Sequence, residues 1–207
     1  QAMCDDYKVC PTEEILAGHA PSSGWTLEQL TALWNVVQRI YESDTYKTLA
    51  IGNYPLEITR AKCYPLGCDG TYGYYAGQAY PEWHKDPNSR LVVITDTFAD
   101  SESNPTRMEW LFAHEIGHSA SGGDAQGGLT SELGMNEPYK KVEACGEQVS
   151  SYGGTNWNEN NSEILSFYMT AAEEAVSGYL GSSMNLKTDF PCTYNAVKEH
   201  YFNNVEF

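Results

Sequence analysis

The stretch Asn104-Pro105-Thr106-Arg107-Met108-Glu109-Trp110-Leu111-Phe112-Ala113-His114-Glu115-Ile116-Gly117-His118 reads as one buried helix. Pro105 suits the first helical position, and Thr106 and Glu109 have capping-box spacing. Met108, Trp110, Leu111, Phe112 and Ile116 wrap the helix in apolar side chains. Residues four apart in an α-helix are separated by about 40° around the axis and about 6 Å along it. His114 and His118 therefore project from one face, spaced so that two imidazoles can hold one ion. Glu115 follows the first of them, where its carboxylate can reach a metal-bound water. Gly117 removes bulk beside the metal. Burying two histidines and a glutamate among apolar groups is costly unless a cation compensates them. The expectation is a catalytic zinc ion that lowers the pKa of water toward about 7, with Glu115 as general base. Two surface histidines and a chance glutamate would give the same letters, but not inside so apolar a helix. His19, His84 and His200 lack partners at ligand spacing and read as ordinary surface or cleft residues.

Outward from this helix, the pattern alternates between helix and strand. Thr26 and Gln29 open a helix to about Ser43, with an apolar stripe of Leu27, Leu30, Leu33, Trp34, Val37, Ile40 and Tyr41. Strands are predicted at Tyr54 to Arg60, Tyr72 to Tyr80 and Arg90 to Thr95, between Pro- and Gly-containing turns. The Tyr- and Gly-rich run from Tyr72 to Tyr80 would suit an edge strand accepting an extended peptide, and equally an ordinary strand. Ser119 to Gly134 and Ser150 to Asn158 read as loops. Helices follow from about Asn160 to Gly178 and from Tyr194 to Asn203. This order predicts an α+β domain spanning residues 1–207 with a cleft between two lobes. The N-terminal lobe, to about residue 121, would carry the sheet and the histidine helix, and the rest would be mainly helical.

Composition narrows the partners. A net charge of −16 excludes a sequence-independent nucleic-acid binder and disfavours docking on anionic membranes. The longest apolar runs, such as Leu91 to Ile94, are far too short to cross a bilayer. With Gln1 at its start and no basic-then-apolar leader, the sequence is expected to be a mature, secreted form. Cys4, Cys10, Cys63, Cys68, Cys145 and Cys192 form no C-x-x-C pair, and their spacing suggests two local loops, 4/10 and 63/68, with 145/192 as a longer staple. Disulfides imply an oxidising compartment. Asn160-Asn161-Ser162 is a glycosylation sequon.

A catalytic zinc site needs a third protein ligand and an open position. Three carboxylates compete for the role. Asp124 lies six residues after His118, where some zinc peptidases place a third ligand after a Gly-mediated turn; here Ser121 stands at the glycine position, and the glycines fall at 122 and 123. Glu163 precedes an apolar helix pattern and could instead be an exposed first-turn residue favoured by the helix dipole. Glu159 falls four residues earlier, before or at the helix cap.

The segment Ser151-Tyr152-Gly153-Gly154-Thr155-Asn156, with Glu163 and the aromatic-rich helix after it, resembles the catalytic domain of the anthrax lethal factor family, which includes the small secreted Pro-Pro endopeptidases. The likeness covers about Leu111 to Glu174, under a third of the chain. It implies a two-lobed zincin-like fold of gluzincin type with a mixed sheet. It also implies His114, His118 and Glu163 as zinc ligands and Glu115 as the base. Tyr152 would match the tyrosine whose hydroxyl stabilises the tetrahedral intermediate. Strict family spacing from Tyr152 lands on Glu159, so Glu163 as ligand requires a four-residue insertion. The function these features predict is that of a secreted, monomeric zinc endopeptidase acting on polypeptides. The alternatives are a secreted zinc-binding or antigen-like protein without turnover, and a toxin-like effector with a narrow target.

Overall fold

The structure is a computed structural model and describes residues 2–13, 23–52, 55–62, 74–76, 90–95, 104–121, 136–170 and 185–207. It is a mixed α+β arrangement built on a four-stranded sheet of order β1-β2-β4-β3. β1 (Val9–Glu13), β2 (Leu56–Ala61) and β4 (Arg90–Thr95) are parallel, with Val9 opposite Leu56 and Leu56 opposite Arg90. β3 (Tyr74–Ala76) runs antiparallel to β4 at the end of the sheet, Tyr74 opposite Val93. The mixed sheet is as expected, and β4 has the predicted bounds. Its Val92, Val93 and Ile94 are buried, the near-continuous apolar run that a strand covered on both faces requires. β1 lies outside the predicted strands; its Pro11 is tolerated at the opposite end of the sheet, where an N–H can be spared.

Helix α1 (Ala2–Tyr7) leads into β1, and a Cys4–Cys10 disulfide closes the pair. α2 (Leu27–Tyr41) begins with the predicted capping box: Thr26 Oγ1 accepts from Gln29 N, and Gln29 Oε1 accepts from Thr26 N. Leu33, Val36, Val37 and Ile40 are buried, whereas Leu27, at the first turn, stands in solvent at 77% exposure and does not join the stripe. Gln29 is buried and also accepts from the fully buried Arg60 of β2. The short α3 (Asp44–Ala50) follows at once, capped by Ser43.

α4 (Pro105–Ala120) is the expected central helix, and every residue from Trp110 to Ala120 is buried. Its cap differs from expectation. Asn104 Oδ1 accepts from the N–H groups of Thr106 and Arg107, so Thr106 and Glu109 form no capping box. Glu109 instead joins α4 to α2, pairing with Arg39 at 2.8 Å and accepting from Asn35 at 2.7 Å. A carboxylate in the second turn of a helix cannot reach the cap, and the half-buried Arg39 compensates its partial desolvation.

α5 (Glu137–Glu143), a 3₁₀ turn at Gly153–Thr155, α6 (Trp157–Thr170), α7 (Leu186–Asp189) and α8 (Pro191–His200) complete the described chain. The Cys145–Cys192 disulfide ties the end of α5 to α8 as expected, while Cys63 and Cys68 lie outside the described residues. Tyr46, Tyr168, Tyr201 and Phe202 pack as an aromatic cluster where α3, α6 and the C-terminus meet. One core runs from the sheet's buried side chains through α2 and α4 to α6 and α8. Among the described residues no helix is long and apolar enough to cross a membrane.

Candidate metal centre

α4 and α6 cross so closely that backbone meets backbone. A Cβ placed on Gly117 would stand 3.1 Å from Ser162 Cα. Gly117 therefore serves the helix crossing, which is a different use from clearing space at a metal. The close approach brings Ser162 Oγ to 2.9 Å from His118 Nδ1. With Nδ1 engaged, the Nε2 side of that ring is presented to the other helix.

What Nε2 meets there is Glu159. Its Oε2 lies 3.2 Å from His114 Nε2 and 3.4 Å from His118 Nε2. The two imidazole rings stand perpendicular with centroids 4.9 Å apart. One donor atom from each of His114, His118 and Glu159 falls within 4.8 Å of the others, a group that could hold a metal ion. Both histidines are buried, and Glu159 is half-buried.

Electrostatics suit that use. Burial lowers the His114 pKa, outweighing the hydrogen bond to Glu159, and so favours the neutral, ligating imidazole. Burial also pulls on His118, but Glu159 and Glu115 more than offset it and raise its pKa. At Glu159, burial is overcome by hydrogen bonds from both imidazoles, and its carboxyl is held well below the ordinary range. Two nitrogens and an ionised oxygen, converging from two rigid helices, form a donor set that fits a divalent transition metal. Glu115 is buried next to His114, and its carboxyl is pushed up to about 7 by desolvation, with His118 lowering and Glu159 raising it.

Of the two competing carboxylates that lie among the described residues, Glu159 is the one brought to the histidines. Glu163, preferred on the family resemblance, is fully buried and faces elsewhere: its Oε2 accepts from Ser150 Oγ, and its carboxyl lies against the Gly153 backbone. Burial pushes its carboxyl up to about 7 against those contacts. Asp124 lies outside the described residues. The physical reason is the start of α6. Asn156 caps it, its Oδ1 accepting from Glu159 N at 3.0 Å, so the helix begins at Trp157 and Glu159 sits inside the first turn. A helix begun at Asn160 leaves Glu159 in the loop, where its carboxylate has no fixed direction. The signal was present in Asn156-x-x-Glu159, a capping residue followed three places later by glutamate.

Tyr152 stands at the tip of the turn before α6, its ring centroid 6.1 Å from that of His114 and its side chain partly open to solvent. Trp110 stacks at a tilt against His114 from within the same helix, 5.2 Å between centroids, and is buried as expected of a core residue. Asn160, the sequon asparagine, is 1% exposed; its side chain accepts from Val149 N and donates to Glu147 O. In the folded protein that amide is not available for glycosylation. His200, at the end of α8, is remote in sequence from the cluster and takes no part in it, while His19 and His84 lie outside the described residues.

No protein-family model, no curated protein and no solved structure matches the chain.

Proposed function

We propose that the chain is a secreted zinc-dependent endopeptidase whose ion is held by His114, His118 and Glu159, with Glu115 as general base. The observation that carries this is the convergence of two imidazole nitrogens and a carboxylate oxygen within 4.8 Å, with the buried carboxyl of Glu115 next to the first histidine in sequence. Zinc bound by three protein ligands acidifies water and polarises a carbonyl. Glu115 is suited to take the proton of the attacking water and pass it to the leaving amine. Tyr152, beside His114, is suited to donate its phenol hydrogen to the developing oxyanion.

Other features agree. Among the described residues β3 is the last strand on its side of the sheet and lies alongside α4, an edge to which an extended polypeptide would add as a further strand. The Cys4–Cys10 and Cys145–Cys192 disulfides suit an extracellular setting. The resemblance of the Ser151–Asn156 loop to the lethal factor and Pro-Pro endopeptidase family points the same way. With Glu159 as third ligand, the spacing from Tyr152 follows the family's without an insertion.

The test is cleavage of a diverse peptide library by the zinc-loaded protein, with Glu115→Gln as control. The variant should retain one zinc ion per chain and lose at least about 100-fold in rate, the range for removal of a general base. Zinc binding without cleavage of any peptide would instead favour a metal-capturing protein.

A further inference from the structure

Glu163 is a buried glutamate that the reaction above leaves unused. Its surroundings are informative. Oε2 accepts from Ser150 Oγ, the carboxyl lies against the Gly153 backbone, and Oε1 is buried with no partner among the described residues. Its hydrogen bonding therefore goes to one place, the turn that carries Tyr152. The Gly153 N–H donates to Ser150 Oγ at 2.8 Å and Ser150 Oγ donates to Glu163, a relay that makes a compact ring of Glu163, Ser150 and Gly153.

The fit around this ring is tight. A Cβ on Gly153 would lie 2.8 Å from Glu163 Oε2 and 2.7 Å from Asn160 Oδ1, so any larger residue must displace one or both of these side-chain ends. Asn160 holds the approach to the turn through Val149 and Glu147. One turn of α6 thus carries two functions on three residues: Glu159 points to the histidines, while Asn160 and Glu163 hold the segment from Glu147 to Gly153. The tyrosine between the held residues Ser150 and Gly153 is placed by that grip, at 6.1 Å from the His114 ring.

We propose that Glu163 is a positioning residue, which fixes the turn at Ser150–Gly153 and so sets Tyr152 beside the metal-binding cluster. What Tyr152 does once placed there rests on the endopeptidase reading; the placement itself does not. Helix α6 then couples ligand and oxyanion donor in one rigid element, and a shift of Tyr152 independent of Glu159 is suppressed.

Amide hydrogen exchange resolved at Gly153 tests the placement without any need for activity. The wild-type amide should exchange slowly. Glu163→Ala and, from the other side of the ring, Ser150→Ala should each speed it at least about tenfold, with α4 and the rest of α6 unchanged. Glu163→Gln, whose amide oxygen can still accept, should restore protection. In the active enzyme, Glu163→Ala should lower kcat by the same factor as Tyr152→Phe, with KM and zinc stoichiometry unchanged. The double variant should be no slower than Tyr152→Phe alone, since each change removes the same interaction. Unchanged exchange at Gly153 in both Glu163→Ala and Ser150→Ala, multiplied losses in the double variant, or loss of zinc in Glu163→Ala would overturn the proposal. If the wild type cleaves no peptide, the exchange result still decides the placement, and only the peptidase reading falls.

Discussion

Replacing Gly117 by alanine should loosen the metal centre through the crossing of α4 and α6. The new Cβ would stand 3.1 Å from Ser162 Cα and 3.4 Å from Ser162 Cβ and O. Two effects oppose. Alanine in a helix interior is favoured over glycine by about 0.8–1 kcal/mol. Overpacking a close contact costs about 1–3 kcal/mol. Here the nearest atom is backbone, which moves only if the whole of α6 moves, so the second effect prevails. The balance is a loss of about 1 kcal/mol, or about 2–4 °C in melting temperature for a chain of this size. Relief requires α6 to withdraw, taking Ser162 from His118 Nδ1 and Glu159 from both imidazoles. Disturbing an outer hydrogen-bond partner typically costs about 10–100-fold in metal affinity, and the lower figure suits so small a displacement. Thermal melts of the metal-free protein and calorimetric zinc titration measure the two effects separately. A Gly117→Ala protein that melts higher and binds zinc as the wild type does would refute this reasoning.

Other perturbations have equally definite outcomes. Tyr152→Phe should lower kcat about 100-fold with little change in KM, read from initial rates on a cleaved peptide, because an oxyanion donor acts in the transition state. Replacing Cys145 and Cys192 by serine opens a link across 47 residues and should destabilise the fold by up to about 4 kcal/mol, measured by denaturant unfolding. The carboxyl of Glu163, raised from 4.5 to about 7, binds a proton in the folded state that the unfolded chain has already released. Its contribution is therefore fully present below pH 4.5 and is lost as pH rises through about 7. Glu163→Gln should accordingly flatten the decline in stability across that window, seen by comparing denaturant midpoints of both proteins at several pH values.

What could be read in the sequence, and what could not, follows from the range of the forces involved. The bounds of α2 and α4 depend on periodic apolar residues and local caps, and Thr26 with Gln29 and Asn104 with Pro105 are visible in the chain. β4 is legible because its centre, Leu91 to Ile94, is an unbroken apolar run. The short elements α1, α3, α5 and α7 have too few residues for a period to declare itself, and packing or a disulfide holds them. At the site, His114 and His118 are fixed by a single helical turn. The third carboxylate is not, because Glu159 and Glu163 sit one turn apart on the same helix and either could face α4. The choice depends on where α6 starts and on the Gly117–Ser162 contact, which is tertiary. Likewise, nothing local shows that Glu109 pairs with Arg39, 70 residues away, in place of capping its own helix.

The most direct test of the account is calorimetric zinc titration of the metal-stripped protein beside its Glu159→Ala and Glu163→Ala variants. The account predicts one ion per chain for the wild type and for Glu163→Ala, with affinity reduced by more than about 100-fold in Glu159→Ala, beyond the range seen for outer-sphere changes. A wild-type protein that takes up no zinc, or an affinity lost with Glu163 and kept without Glu159, would contradict it.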